Sequence, residues 1–375
     1  MSVEENKNLT DLILKQNKLL EQQSKLIKQL MAERTHSVKG LLLPGEKIFV
    51  ENLFRDEIRD GFLVTAHRKR LWNIELNLIA EFDRICKKHN LRWFAIGGTV
   101  LGAVRHKGFI PWDDDIDLGM LRPDYEKLKA VIKSEVPEYC FVDAWHDYKL
   151  EEEDPNILQD KSCLQIVKRE QWQGGSIWWP FWPMIKLKDN RTAFIQYLDR
   201  PHVHQGIFID IVPIDPVSPF SNIQNKIAFE IERELLFAIA LPDVIKEALK
   251  ENPPPLLFSP DEMKIFLKLK HREKSLAFDA FALKNFFHSE FVGEVRDFSL
   301  VDRRNRVFKF ETFEQTVYLP FEKTELPCPA GYNDYLTALY GEWRKSDVYQ
   351  SHAKIYSADF SYKYFFEAMN TQISF

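Results

Sequence analysis

The span GGTVLGAVRHKGFIPWDDDIDLGML, residues 97 to 121, sets Asp113, Asp114, Asp115 and Asp117 against the apolar Ile116 and Leu118. Along an extended chain alternate side chains share a face, so Asp113, Asp115 and Asp117 point one way and Asp114, Ile116 and Leu118 the other. An acidic run alone fits a solvated loop equally well. The interleaved apolar residues argue instead for a half-buried strand, where unpaired carboxylates are costly. Carboxylates a few ångströms apart repel unless a cation neutralises them, and hard oxygen donors favour Mg²⁺ or Mn²⁺ over zinc. Asp210, inside the apolar run GIFIDIVP, supplies a carboxylate from a second strand. The expectation is a site for two divalent ions: Asp115, Asp117 and Asp210 as the reactive acids, Asp113 assisting as a ligand.

The residues just upstream point to the ligand. Gly97 and Gly98 permit close backbone approach, and a short helix, with Thr99 near its N-cap and Gly108 closing it, offers free amides to an anion. Arg105, His106 and Lys107 add donors and positive charge. Together these predict a phosphate or pyrophosphate group. Lys186 and His352 are further candidates, each with a structural alternative: an exposed strand residue and a hydrogen-bonded histidine. Trp172, Trp178, Trp179 and Trp182 can box a quaternary ammonium by cation–π attraction, or serve as core or as a glycan-stacking surface.

Elsewhere, Leu12, Leu19 and Leu26 recur at heptad spacing, predicting a coiled-coil helix over residues 1–32 that joins copies of the chain or packs on its own domain. Residues 33–46 read as a linker with glycines and a proline, and 47–375 as the catalytic domain. Leu71, Ile74, Leu78, Phe82 and Ile85 mark an amphipathic helix from Arg70 to His89. Strands are expected at LRWFAIGG, DIDLGM, CLQIVKR, MIKLK, GIFIDIVPI, RVFKF and TVYLPF, and helices at IQNKIAFEIERELLFAIA and DEMKIFLKLKHREKSLAFDAFAL. The fold class is α+β (mixed α/β): a mixed sheet flanked by helices, preceded by the coiled-coil helix.

A net charge of −5 gives no general attraction to nucleic acid. No apolar run has the roughly 18 residues of a membrane helix, and the start lacks a signal-peptide pattern, so a cytoplasmic protein, peripheral at the inner membrane face, is expected. Cys86, Cys140, Cys163 and Cys328 are scattered without a CxxC pair and read as reduced, mostly buried thiols.

The order strand, Gly-Gly, helix, Asp-x-Asp strand and later acidic strand resembles the nucleotidyltransferase fold. The stretch GGTVLGAVRHKGFIPWDDDIDLGMLRPDYEKL closely resembles the central motif of the LicD/fukutin family of phosphotransferases. IKLKDNRT, GIFIDIVPIDPV, YLPFE and YNDYLTALYGEWRKSDVYQSH resemble that family's later blocks in order, over roughly residues 65 to 352. The resemblance implies metal-dependent transfer of a phosphorylated small group, of phosphocholine or phospho-polyol type, from a CDP-linked donor to a glycan hydroxyl with release of CMP. The setting would be cell-surface polysaccharide modification: lipopolysaccharide, capsule or teichoic acid, on an acceptor that can be lipid-linked. It places the donor pyrophosphate across two Mg²⁺ ions on Asp115 and Asp117, with Asp210 accepting the hydroxyl proton. Gly97, Gly98 and Thr99 would cradle phosphate while Arg105 and Lys107 stabilise developing charge. The alternatives are a nucleotide-sugar glycosyltransferase, which also uses Asp-x-Asp, and a non-catalytic coiled-coil scaffold.

Overall fold

In the computed structural model, residues 42–147, 183–195, 204–217, 234–235, 238–239, 242–254, 256–287, 289–294, 307–345 and 355–357 are described. The expected coiled coil, the strand CLQIVKR, the tryptophan-rich segment, Cys163, His352 and most of IQNKIAFEIERELLFAIA lie outside them. The described part is α+β, as expected, with seven α-helices and a mixed sheet. None of those helices is long and apolar enough to cross a membrane.

A short hairpin, β1 (Glu57–Arg59) and β2 (Phe62–Val64), leads into α1 (Ala66–Lys88). The Thr65 hydroxyl caps this helix by accepting the Arg68 N–H at 3.2 Å. Its start is four residues earlier than the apolar periodicity indicates, because the cap rather than the apolar stripe sets the boundary. β3 (Phe94–Ala95) is followed by α2 (Gly97–His106), β4 (Asp117–Leu121), α3 (Arg122–Glu135) and β5 (Cys140–Ala144). Then come β6 (Ile185–Asp189), β7 (Ala193–Ile195), β8 (Phe208–Pro216) and α4 (Pro242–Ala248). The helical stretch expected from Asp261 divides into α5 (Pro260–Lys268) and α6 (His271–Phe286). The break falls at Leu269 and Lys270, where the Glu273 carboxylate accepts the Lys270 N–H at 2.8 Å and starts a new helix. β9 (Phe291–Glu294), β10 (Val307–Lys309), the hairpin β11 (Thr316–Phe321) with β12 (Thr324–Pro329), α7 (Tyr332–Tyr340) and β13 (Ile355–Ser357) are the remaining elements among the described residues.

The seven-stranded sheet is organised by β8, which is buried along all nine residues. One edge pairs in parallel with β4, whose outer neighbour is β3; the other edge takes β6 and then β9, both antiparallel. Helices cover both faces. Phe208 packs with Leu71 and Ile74 of α1, while Asp215, an odd number of residues away and so on the opposite face, meets Arg122 of α3. Ile209, Ile211, Leu118, Met120, Ile185 and Leu187 are fully buried in the main core, which fixes the register because a one-residue slip would exchange that apolar set with the charged side chains of the other face. Cys86, Cys140 and Cys328 are free and buried, in keeping with the expectation for three of the four thiols.

Candidate functional site

Sheet register brings the strand acids together. Asp117 on β4 pairs directly with Asp210 on β8, and Asp210 pairs with Lys186 on β6. The three side chains thus form one row across adjacent strands, on the face that carries α1. Lys186 Nζ lies 2.5 Å from Asp210 Oδ1 and 3.9 Å from the centroid of the Phe208 ring. Lys186 is therefore the ionic partner of Asp210 rather than a solvent-facing strand residue.

Asp113 to Ile116 form a loop that precedes the strand, which begins at Asp117. The expected alternation nevertheless holds. Asp114, Ile116 and Leu118 are buried while Asp113, Asp115 and Asp117 are partly exposed. Three anchors hold this loop: Asp113 O accepts from Arg68 at 2.7 Å and from the Trp72 indole at 3.0 Å, and Ile116 O accepts from Asp210 N at 2.9 Å. One carboxylate oxygen from each of Asp113, Asp114 and Asp115 lies within 4.8 Å of the others.

That spacing has an electrostatic cost. Burial pushes Asp113 up to about 6, and the charges of Asp114 and Asp117 add to the shift against a hydrogen bond from Asp115. Burial, then Asp113, Asp117 and Asp114, raise Asp115 well above the ordinary carboxylate range. Such a set of hard oxygens, protonated more readily than free carboxylates, fits a divalent cation that would relieve the repulsion.

The glycine pair has a steric role. Gly97 sits at φ +55°, and a Cβ there would come within 2.9 Å of Asp117 Oδ2; one on Gly98 would come within 2.8 Å of Asp113 Oδ2. The missing side chains make room for two of the acids. Thr99, expected near the N-cap, is instead the third residue of α2, whose N-cap is Ile96. Its hydroxyl accepts the Asp117 N–H at 2.9 Å, tying helix to strand. The helix does not close on Gly108 either: Lys107 takes the left-handed C-cap position at φ 54°, exposed to solvent.

Asp113, Asp115 and Asp117 line a cleft of about 930 Å³, while Asp114 and Asp210 lie outside its lining. One wall carries Gly98, Arg105, Trp112, Asp113, Asp115 and Asp117; the other runs from Thr337 in α7 through Trp343 to Lys345. Of the three basic candidates only Arg105 lines it. His106 turns to Asp60, 2.6 Å from its carboxylate.

Two positions escaped the sequence reading. Tyr335 of α7 accepts the Gly97 N–H at 2.8 Å and donates to Glu294 at 2.5 Å, pinning the glycine turn across 238 residues of sequence. Glu75 of α1 is buried, and burial with the charges of Asp114 and Asp113 raises its pKa well above the usual range. A single charged residue in the run WNIELNLI is the available signal for Glu75; nothing local marks Tyr335.

Fold and site together define an α+β protein with an acidic cleft where Asp117 opens β4 against Asp210 of the parallel strand β8. Residues 90–200 match the sequence model of the family described as LicD/FKTN/FKRP, nucleotidyltransferase domain. The chain is 25% identical over 276 residues to the lipopolysaccharide cholinephosphotransferase LicD of Haemophilus influenzae, covering 72% of this chain and 88% of that protein. An uncharacterized protein of Rickettsia typhi is 26% identical over 183 residues, 42% of this chain and 56% of that one. One from Caenorhabditis elegans is 33% identical over 99 residues, 24% of this chain and 26% of that one.

Proposed function

We propose that the protein transfers a phosphorylated small group, of phosphocholine or phospho-polyol type, from a CDP-linked donor to a glycan hydroxyl, releasing CMP in the modification of a cell-surface polysaccharide. The observation that carries this reading is the register of Asp117 with Asp210 beside the packed Asp113, Asp114 and Asp115. The similarity to a lipopolysaccharide cholinephosphotransferase over most of both chains supports the reaction class.

Phosphoryl transfer asks for charge neutralisation and in-line positioning more than for covalent catalysis. Asp113, Asp115, Asp117 and Asp210 would hold Mg²⁺ or Mn²⁺, which when bound neutralises the donor's phosphates. Gly98, in the first turn of α2, lines the cleft that would receive those phosphates. Arg105 presents fixed positive charge on the same wall. Asp210 accepts the proton of the attacking hydroxyl, and Lys186 holds that carboxylate in place.

The test is incubation with Mg²⁺, a glycan acceptor and a panel of CDP-choline, CDP-ribitol, CDP-glycerol and UDP- and GDP-sugars, reading the released nucleotide by mass spectrometry. CMP from one CDP donor, absent with Asp117→Ala, is the expected result. Release of UDP or GDP would overturn it in favour of glycosyl transfer.

A further inference from the structure

Arg105 crosses the cleft. From α2 its Nη1 donates to the carbonyls of Trp343 and Lys345, at 3.1 Å each, on the opposite wall. Its Nε donates at 2.8 Å to Nε2 of His106. An arginine Nε–H can only donate, so His106 Nε2 must be the bare nitrogen and Nδ1 must carry the proton. Nδ1 indeed faces a pure acceptor, the Asp60 carboxylate at 2.6 Å, in the turn between β1 and β2. The edge of the Trp112 ring closes the remaining side.

We propose that His106 is a positioning residue: held by Asp60 as the Nδ1–H tautomer, it fixes Arg105 across the cleft against the Trp343–Lys345 segment, and protonation of its imidazole releases that clasp. The link to catalysis rests on the function proposed above; the clasp itself does not. Protonation would place an N–H on Nε2 directly against the Arg105 N–H, so the two states cannot share one geometry. The charged groups around the ring act in both directions. Burial and then Arg105 lower the His106 pKa, Asp60 raises it, and Arg59 on β1 lowers it, with a net shift downward from the ordinary value of 6.5. At neutral pH the clasp is closed; acid opens it.

This reassigns a residue that the local sequence presents as one member of a basic triplet. Arg105 faces the cleft while His106, the next residue on the helix, faces away and acts through its neighbour. The hairpin thereby gains a purpose, since Asp60 at its tip selects the tautomer. Arg59 beside it is anchored by Glu322 of the β11–β12 turn, Nη1 to Oε1 at 2.5 Å, which keeps the tip in place.

The experiment is ¹⁵N NMR of the histidine rings in the full-length chain, the His106 signals being assigned as those lost in His106→Gln. The expected spectrum has Nε2 unprotonated at pH 7.5, a titration below 6.5, and a rise of that titration in Arg105→Ala, where a neighbouring cation and the donor to Nε2 both disappear. A protonated Nε2 at pH 7.5, or a titration near 6.5 that ignores Arg105→Ala, overturns the clasp whether or not any donor is turned over. In kinetics at saturating Mg²⁺, His106→Gln keeps an acceptor for Arg105 and recovers most of the activity lost in His106→Leu. It also removes the part of the acid limb owed to His106. An acid limb identical in the wild type and His106→Gln would overturn the catalytic link while leaving the clasp to stand on the NMR result.

Discussion

Strand β8 carries two buried aspartates five residues apart, Asp210 and Asp215, and the fold surrounds them in opposite ways. Asp215 is met by the guanidinium of Arg122, with Nε at 2.5 Å and Nη2 at 2.7 Å, and Arg122 also reaches Asp279 at 3.0 Å and Glu126 at 2.9 Å. Lys129 closes the network by bonding Asp279 at 2.6 Å. Burial works against the Arg122 charge, but the fields of Asp215 and then Asp279 outweigh it and raise its pKa well above the ordinary value. Around Asp210 the balance is reversed. One lysine faces it at 2.5 Å, and the neighbourhood otherwise gathers acids, to the point that Asp115 is pushed well up by burial and by Asp113, Asp117, Asp114 and Asp210. Buried charge that the chain neutralises from its own side chains is scaffold, whereas buried charge that it concentrates awaits a ligand.

The contrast predicts opposite failures. Asp117→Ala should reduce nucleotide release by about a thousandfold or more, since it removes a group that acts on the charge developing in the transition state. Its thermal midpoint should hold or rise, because a source of repulsion is gone. A variant that unfolds instead would place Asp117 in the scaffold class. Arg122→Met should do the reverse, costing about 3–5 kcal/mol in urea denaturation by stranding Asp215, with activity per folded molecule retained. Arg122→Met that stays stable but loses activity would erase the distinction between the two ends of β8.

Mg²⁺ offers a smaller and sharper discrimination. A ligand bound only by the folded state stabilises by about 2.7 kcal/mol at a hundred times its dissociation constant. That increment should appear as a rise in midpoint for the wild type and for Arg122→Met, and should vanish in Asp115→Asn. An increment that survives Asp115→Asn would move the cation elsewhere.

The two regions also differ in how far the sequence discloses them. The acidic row was legible because burial alternates with period two from Asp113 to Leu118, and because Asp210 stands alone among apolar residues. The fold class followed from the same apolar strands and from the amphipathic α1. The parts that escaped depend on contacts between distant segments: Tyr335 to Gly97, Glu322 to Arg59, and Arg122 to Asp215, each bridging about 90 residues or more. The glycine pair was read as room for a ligand, while its nearest neighbours are the carboxylates of Asp117 and Asp113. Local pattern identified which residues were unusual; only the packing identified what each one touches.

The weakest effect is also the most specific to the acidic end. Asp113 in the folded, metal-free protein holds its proton up to about 6, against an ordinary value of 3.8. Between those values the folded state binds more protons than the unfolded one, so stability must fall as pH rises through the window, and the full cost persists above it. At pH below 3.8 both states are protonated and the contribution is absent. In EDTA the thermal midpoint should therefore carry a downward component between pH 4 and pH 6. Mg²⁺ should oppose that fall increasingly toward pH 6, since the cation competes with the proton and favours the ionised carboxylates. Asp113→Asn should flatten the slope in EDTA, for the amide has no proton to release. The Arg122 guanidinium stays charged throughout this range, whereas burial also raises Asp215, so a share of the slope persists in Asp113→Asn. A slope in EDTA that is indifferent to Asp113→Asn would mean that the acids of the cleft do not share the strain that their spacing requires.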